Sequence, residues 1–262
     1  MSQRFKANKN ENASKNTRLD VAGEFAGFRF GRDQLAHVTR YLFICEWMIK
    51  EAKRIKRPLS ILDIGCGDVY VARVLNASFV VKKRDVVRLY TGLDIDNVIL
   101  ERASNTLPTS MDIELICDDF TTGALEQFKN KQFDFVICTE VIEHVKPKFV
   151  ILLLSEIKRI AKRAIISTPN FDGGTGHIPE DHIKEWKIDD LLVLMNEVGI
   201  KPMQSVGVFC NLQHVKKLCK ANAKLKSLYD YLEPRMDSDL LSLCMARFIG
   251  LESQNVMHVC EL

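Results

Sequence analysis

Leu62-Asp63-Ile64-Gly65-Cys66-Gly67-Asp68, followed downstream by Thr91-Gly92-Leu93-Asp94-Ile95-Asp96, decides how this chain is read. Each segment begins as a short apolar run and ends in a turn that carries acids. Buried parallel strands with ligand-facing tips have this pattern. Glycines at 65 and 67 permit a tight turn and close approach of a ligand to the backbone. An acid at the tip of the second strand is placed to grip a ribose diol, so the two segments together predict a nucleoside cofactor held by an open α/β sheet.

A nicotinamide fingerprint requires a glycine or alanine where Tyr70 stands, and a P-loop requires a Gly-Lys-Ser/Thr that does not follow the turn. The Asp63-Ile64-Gly65-Cys66-Gly67 unit instead resembles motif I of the class I S-adenosylmethionine (SAM) methyltransferases, a family that often has a further glycine where this chain has Val69. The turn opens a helix, so its backbone N–H groups are suited to the cofactor carboxylate. Asp63 is placed to orient the turn or the amino group, and Asp94 to accept from the ribose hydroxyls, with Asp96 as a near alternative. In Cys117-Asp118-Asp119-Phe120 the resemblance implies that Asp118 meets the adenine amino group while a neighbour covers the ring; Asp119 is alternatively a cap for the next helix. Cys66, Ile95, Phe120 and Thr139 complete the expected cofactor-binding set.

Strand-like runs at 59–64, 88–94, 112–117, 133–138 and 163–168 alternate with helical segments near 69–77, 97–106, 121–129 and 147–161. This alternation implies a parallel sheet with right-handed crossovers. A helix over 188–198 stops at Gly199, a C-cap signal. Further strands are expected at 203–209 and 240–248, separated by a helix or helix pair over 211–232. The expected fold is therefore α/β: a Rossmann-like seven-stranded sheet, five strands parallel and the last two an antiparallel hairpin, with helices on both faces. Residues 34–54 read as an amphipathic helix preceded by an aromatic cluster, Phe25, Phe28 and Phe30, which staples it or alternatively lines a pocket mouth. Residues 1–18 read as a basic flexible arm, and 19–262 as one methyltransferase domain. Lys82-Lys83-Arg84 reads as a solvated bend in the first crossover.

The fourth strand runs into Thr139-Glu140-Val141-Ile142-Glu143-His144, at a carboxyl edge where α/β proteins bind ligands. If the segment is helical, Glu140, Glu143 and His144 share a face. Two carboxylates and an imidazole on one face require a cation, a substrate or water. Downstream lie Thr168-Pro169-Asn170, a glycine-rich turn with His177, and Asp181-His182-Ile183-Lys184-Glu185-Trp186. Together these segments resemble the catalytic half of the small-RNA 3′-terminal 2′-O-methyltransferases. That resemblance implies a divalent ion (Mg, Mn, Co or Zn) held by Glu140, Glu143, His144 and His182 on the ribose hydroxyls. Alternatively His144 or His182 acts as a metal-free base, with His177 a substitute for His182. Lys184 stands where that family carries Tyr or Phe. Trp186 is expected to pack. His37, His214 and His258 carry no motif.

The apolar fraction of 47% suffices for a full core. The formal net charge of +3 permits a nucleic-acid partner without demanding one. Basic clusters at 146–163 and 216–226 could attract phosphate alongside the arm, or simply be solvated faces. Eight cysteines without paired short spacing, and no signal or membrane-spanning run, indicate free thiols and a cytoplasmic setting. The expected activity is methyl transfer from SAM to a hydroxyl or amine, favoured on RNA, DNA or a nucleotide. The alternatives are a small-molecule acceptor and a non-catalytic SAM-binding protein. The oligomeric state is left open.

Overall fold

The computed structural model describes residues 32–77, 83–174 and 178–262. The basic arm, the three aromatics, Lys82 and His177 lie outside the described residues. A long helix α1 (Arg32–Ile55) precedes β1 (Leu59–Ile64), α2 (Tyr70–Ala77), β2 (Val87–Asp94), α3 (Asn97–Ser104), β3 (Asp112–Cys117), β4 (Phe133–Thr139), α4 (Pro147–Ile160) and β5 (Ala161–Pro169). Then follow α5 (Ile188–Glu197), β6 (Lys201–Phe209), α6 (Leu212–Ala221), α7 (Ala223–Leu232), α8 (Ser238–Ile249) and β7 (Asn255–Glu261). The seven strands form one sheet in the order β3-β2-β1-β4-β5-β7-β6. β1 to β5 are parallel, and β7 pairs antiparallel with both β5 and β6.

β1 is buried along its whole length because both of its faces are covered. Leu62 and Ile64 enter the core beneath α4 and α5, while Leu59 and Ile61 enter the core beneath α1, α2 and α3. The winding reverses between β1 and β4, so their carboxyl ends open a crevice at the switch point.

Three expectations are corrected. Residues 240–248 are not a strand but lie in α8. Asp237 caps that helix by accepting from the Asp239 and Leu240 N–H groups, and Leu241, Ser242, Met245 and Ala246 repeat at helical spacing on its buried side. The last strand is β7, further along the chain. The helix expected at 121–129 is two 3-10 turns, Phe120–Thr122 and Ala124–Gln127, broken by Gly123 at φ 96°. Lys83–Val86 is a helical turn rather than an open bend. α6, α7 and α8 gather around a small core of their own, centred on Val215, Tyr229 and Met245. Among the described residues no helix is long and apolar enough to cross a membrane.

Candidate active site

The turn after β1 is built from left-handed residues: Gly65 at φ 71°, Gly67 at φ 50° and Val69 at φ 53°. A Cβ on Gly65 would stand 2.5 Å from Val141 Cγ2, so sterics as well as φ exclude a side chain there. The Gly65 N–H donates to the Leu93 carbonyl (2.8 Å), tying the turn to β2. The Gly67 N–H donates to Asp94 Oδ2 and the Asp96 N–H to Asp94 Oδ1, each at 2.9 Å. Asp94 thus sits at the hub of both strand tips, where burial raises its pKa against these donors. Val69 is buried and β-branched, and holding it left-handed costs about 1–3 kcal/mol. Asp63 accepts from the buried Tyr90 hydroxyl and not from the turn; burial pushes its carboxyl up to about 7.

Asp63, Gly65, Cys66, Gly67, Asp94, Ile95, Asp118, Asp119, Phe120 and Thr139 all border one cavity over the carboxyl ends of β1, β2 and β4. Asp96 also borders it, but its carboxylate caps α3 by accepting from the Val98 N–H (2.9 Å). Asp118 accepts from the Asp119 N–H (2.7 Å). Asp119 Oδ1 caps the first 3-10 turn through the Thr121 N–H (2.7 Å), while its Oδ2 is buried with no partner among the described residues. α1 adds a wall that the sequence reading missed: His37, Arg40 and Tyr41 border the cavity, with Tyr41 stacked on Tyr70 at 5.7 Å. His37 therefore has a place in the site. Burial and the adjacent Arg40 charge lower its pKa to about 3, and its Nδ1 accepts from Arg40 Nη1 (2.9 Å). The available signal was polar residues one turn apart on the inward face of an amphipathic helix.

At the far end of the cavity, Glu140 takes φ 54° and the segment after it makes only a 3-10 turn, Ile142–His144, in place of the expected α-helix. The three acidic and imidazole groups therefore do not share a face. Glu140 is drawn to Arg40 (3.0 Å) and accepts from Ser167 Oγ (2.8 Å) and Asn255 Nδ2 (3.0 Å). Glu143, His144 and His182 do come together, with ligand atoms within 4.8 Å of one another. Their imidazoles meet edge to face at 4.9 Å. His144 Nδ1 lies 2.8 Å from the Asp181 carbonyl, an acceptor, so Nδ1 carries the proton and Nε2 is the lone-pair nitrogen. His182 Nδ1 lies 3.1 Å from Glu185 Oε1, which favours the same tautomer. Glu143 is fully enclosed and accepts from Thr168 Oγ1 (3.2 Å); burial first, and then the neighbouring Glu140, push its pKa well up. Burial lowers the pKa of His144. A carboxyl pushed toward its neutral form beside two imidazoles is a donor set that suits a divalent cation, whose charge would restore the carboxylate.

The loop carrying His182 is fixed by backbone. The Ile183 and Lys184 N–H groups donate to the Glu143 carbonyl (2.8 and 3.0 Å), and Asn170 Nδ2 donates to the Leu251 and Ser253 carbonyls (2.9 and 3.0 Å). Trp186 is buried beneath the loop. Much of the 146–163 basic cluster is committed at the opposite, amino edge of the sheet: Lys158 to the Val198 carbonyl, Arg159 to Glu156, Lys162 to Asp134 and Arg163 to Glu51. In the second cluster Lys216 pairs with Glu233 and Lys226 with Asp230, whereas Lys217, Lys220 and Lys224 are exposed. His214 pairs with Glu252, and His258 is buried in β7.

The fold is similar to that of a SAM-dependent methyltransferase from Archaeoglobus fulgidus, which superposes with a TM-score of 0.55 at 17% identity over 93% of this chain and 100% of that one. Residues 62–164 match the family model described as a methyltransferase domain. A ubiquinone biosynthesis O-methyltransferase of Rickettsia bellii is 34% identical over 116 residues, which is 43% of this chain and 42% of that protein. The chain thus spans less than half the length of the curated relatives it matches. Magnesium protoporphyrin IX methyltransferase from Synechocystis PCC 6803, solved with bound SAH, superposes with a TM-score of 0.58 at 14% identity, over 94% of each chain. Small RNA methyltransferase HEN1 gives 0.56 at 16% identity, over 88% of this chain and 26% of that one.

Proposed function

We propose that the protein is a SAM-dependent methyltransferase that methylates a hydroxyl of a small molecule carrying a second oxygen next to it. The observation that carries this reading is the Glu143–His144–His182 cluster beside a cavity whose polar groups match SAM. The 65–67 turn would offer close backbone approach to the methionine end through its side-chain-free glycines, its N–H groups being already held by the Leu93 carbonyl and Asp94. Asp94, already accepting two N–H groups, would accept the ribose hydroxyls on its remaining lone pairs. Asp118 and Asp119 each spend Oδ1 on a backbone N–H, and the remaining Oδ2 of either would accept from the adenine amino group. Ile95 and Phe120 would flank the ring.

Glu143, His144 and His182 would hold a divalent ion, which would supply Lewis-acid chemistry to the acceptor, while Glu140 is paired with Arg40. Such an ion lowers the barrier to deprotonating the hydroxyl. The acceptor oxygen, its proton passed to water, then forms the new C–O bond as the S–CH3 bond breaks and its electron pair returns to sulfur, giving SAH. Without an ion, His182 would take the hydroxyl proton at Nε2, its ring oriented by Glu185. The protein's main contribution is alignment of oxygen, methyl carbon and sulfur.

A terminal ribose diol of RNA is the second reading, favoured by the exposed Lys217, Lys220 and Lys224 on the helices that follow the carboxyl end of β6. Labelled SAM offered to catechols, sugars, a metabolite extract and total RNA, with and without chelator, separates these readings. Label in the small-molecule fraction that is lost on chelation is expected. Label confined to RNA would establish the second reading, and chelator-indifferent transfer would leave His182 as the base. Tight SAM binding with no label in any fraction would mean a non-catalytic binding protein.

A further inference from the structure

The turn that would cradle the cofactor uses three left-handed residues, and only two of them are glycine. Val69 needs an outside restraint, because a β-branched residue relaxes away from this conformation. Its neighbour Asp68 supplies points of attachment on both its side chain and its backbone. The Asp68 carboxylate is 4% exposed and takes both Nε (3.2 Å) and Nη2 of Arg102 from α3. The Asp68 carbonyl accepts from Arg73 Nε of α2 (2.7 Å). Arg73 continues to the Thr106 carbonyl (2.9 Å) and the Thr106 hydroxyl (2.7 Å) beyond α3. Residue 68 is thus gripped by both helices that flank the turn, immediately before the strained residue and immediately after Gly67, whose N–H is held by Asp94.

We infer that Asp68, Arg102 and Arg73 form a clamp that holds Val69 left-handed and so keeps the 65–69 turn in its cofactor-binding shape; the inference rests on the SAM reading of the cavity. Release of the clamp lets the peptides at 67–69 rotate. That moves the Gly67 N–H away from Asp94, the carboxylate that the turn would share with the ribose. The three residues are positioning residues, acting through the turn. Because the turn holds SAM equally before and during methyl transfer, its loosening weakens binding and leaves the chemical step alone. A glycine at 69 needs no restraint, so Val69→Gly makes the clamp dispensable.

The test is titration calorimetry with SAH on wild type, Arg102→Met, Asp68→Asn, Val69→Gly and the Arg102→Met/Val69→Gly double variant, with amide hydrogen exchange followed over 65–70. Arg102 is a partly exposed side chain, so Arg102→Met is expected to fold; Asp68→Asn is the second probe of the same contact. Arg102→Met should weaken SAH binding about tenfold and raise the KM for SAM with little change in kcat. It should also speed exchange at Gly67 and Val69. The double variant should recover to within about threefold of wild type, because strain and restraint are removed together and such neighbours are non-additive. Unchanged affinity and exchange in Arg102→Met would overturn the clamp, as would a loss that Val69→Gly fails to repair. If wild type itself takes up no SAH, the SAM reading fails; exchange then decides alone. Faster exchange in Arg102→Met, repaired in the double variant, supports the clamp, and any other pattern overturns it.

Discussion

Asp94→Asn tests the cofactor reading most directly. In the structure the two carboxylate oxygens of Asp94 each accept one backbone N–H, from Gly67 and Asp96, at 2.9 Å. Each oxygen keeps a lone pair for one ribose hydroxyl. Asparagine removes the charge and turns an NH2 toward one of those donors. Hydrogen bonds to a charged acceptor contribute roughly 1.5–3 kcal/mol each, so losing one outright and weakening the other should cost about 2–4 kcal/mol of binding. That corresponds to a loss of SAH affinity of about 30- to 1000-fold. Part of the loss could arise from the turn instead of the ribose, and an analogue of SAH lacking both ribose hydroxyls separates the two. If Asp94 grips the diol, wild type should bind the analogue weakly and Asp94→Asn should weaken it little further. If the variant loses the same factor for both ligands, Asp94 acts only by shaping the turn. Binding of SAH within about threefold of wild type would refute the pocket assignment altogether.

Gly65→Ala forces a Cβ to 2.5 Å from Val141 Cγ2 at φ 71°, so it should lower unfolding free energy by about 1–3 kcal/mol in urea titration and abolish SAH binding. Asn170→Ala removes the bonds that pin the His182 loop to the Leu251 and Ser253 carbonyls; the KM for the acceptor should rise severalfold while SAH affinity stays unchanged. His258 is fully buried, and burial lowers its pKa from 6.5 to about 4. It is neutral in the fold while the unfolded chain takes up a proton below pH 6.5, so its contribution is intact above pH 6.5 and declines down to about pH 4, by about 3 kcal/mol in all. His258→Gln should flatten that part of the stability–pH curve, and an unchanged curve would disprove the assignment.

The parallel half of the fold was legible because a strand covered on both faces must be a continuous apolar run, and because the turn chemistry at Gly65, Gly67 and Asp94 marks where each run stops. Residues 240–248 were misread for the same reason: an apolar run fits a buried strand or a buried helix equally well. The deciding signals were Asp237 at the N-cap and the pairs Leu241/Met245 and Ser242/Ala246, four residues apart. In Asp118-Asp119 the sequence marks two acids at the tip of β3, while their local hydrogen bonds were not legible. The β-to-3-10 transition hands Oδ1 of Asp119 to the Thr121 N–H and Oδ1 of Asp118 to the Asp119 N–H.

Glu140 shows where a local pattern stops being informative. Its spacing to Glu143 and His144 would place all three on one helical face, yet a left-handed φ at Glu140 and a single 3-10 turn send its side chain elsewhere. The destination is set by Arg40, a hundred residues earlier in the chain and buried to 2% exposure, together with Asn255 from the last strand. A buried guanidinium without a carboxylate is strongly unfavourable, so once α1 packs against the crevice, Arg40 recruits the nearest acid. Glu143 is then the carboxylate left beside the imidazoles, and His182 reaches them only because its loop hangs from the Glu143 carbonyl. The composition of the cluster is therefore a consequence of long-range packing, with α1 as much a determinant of the acceptor end as the strand that bears the acids.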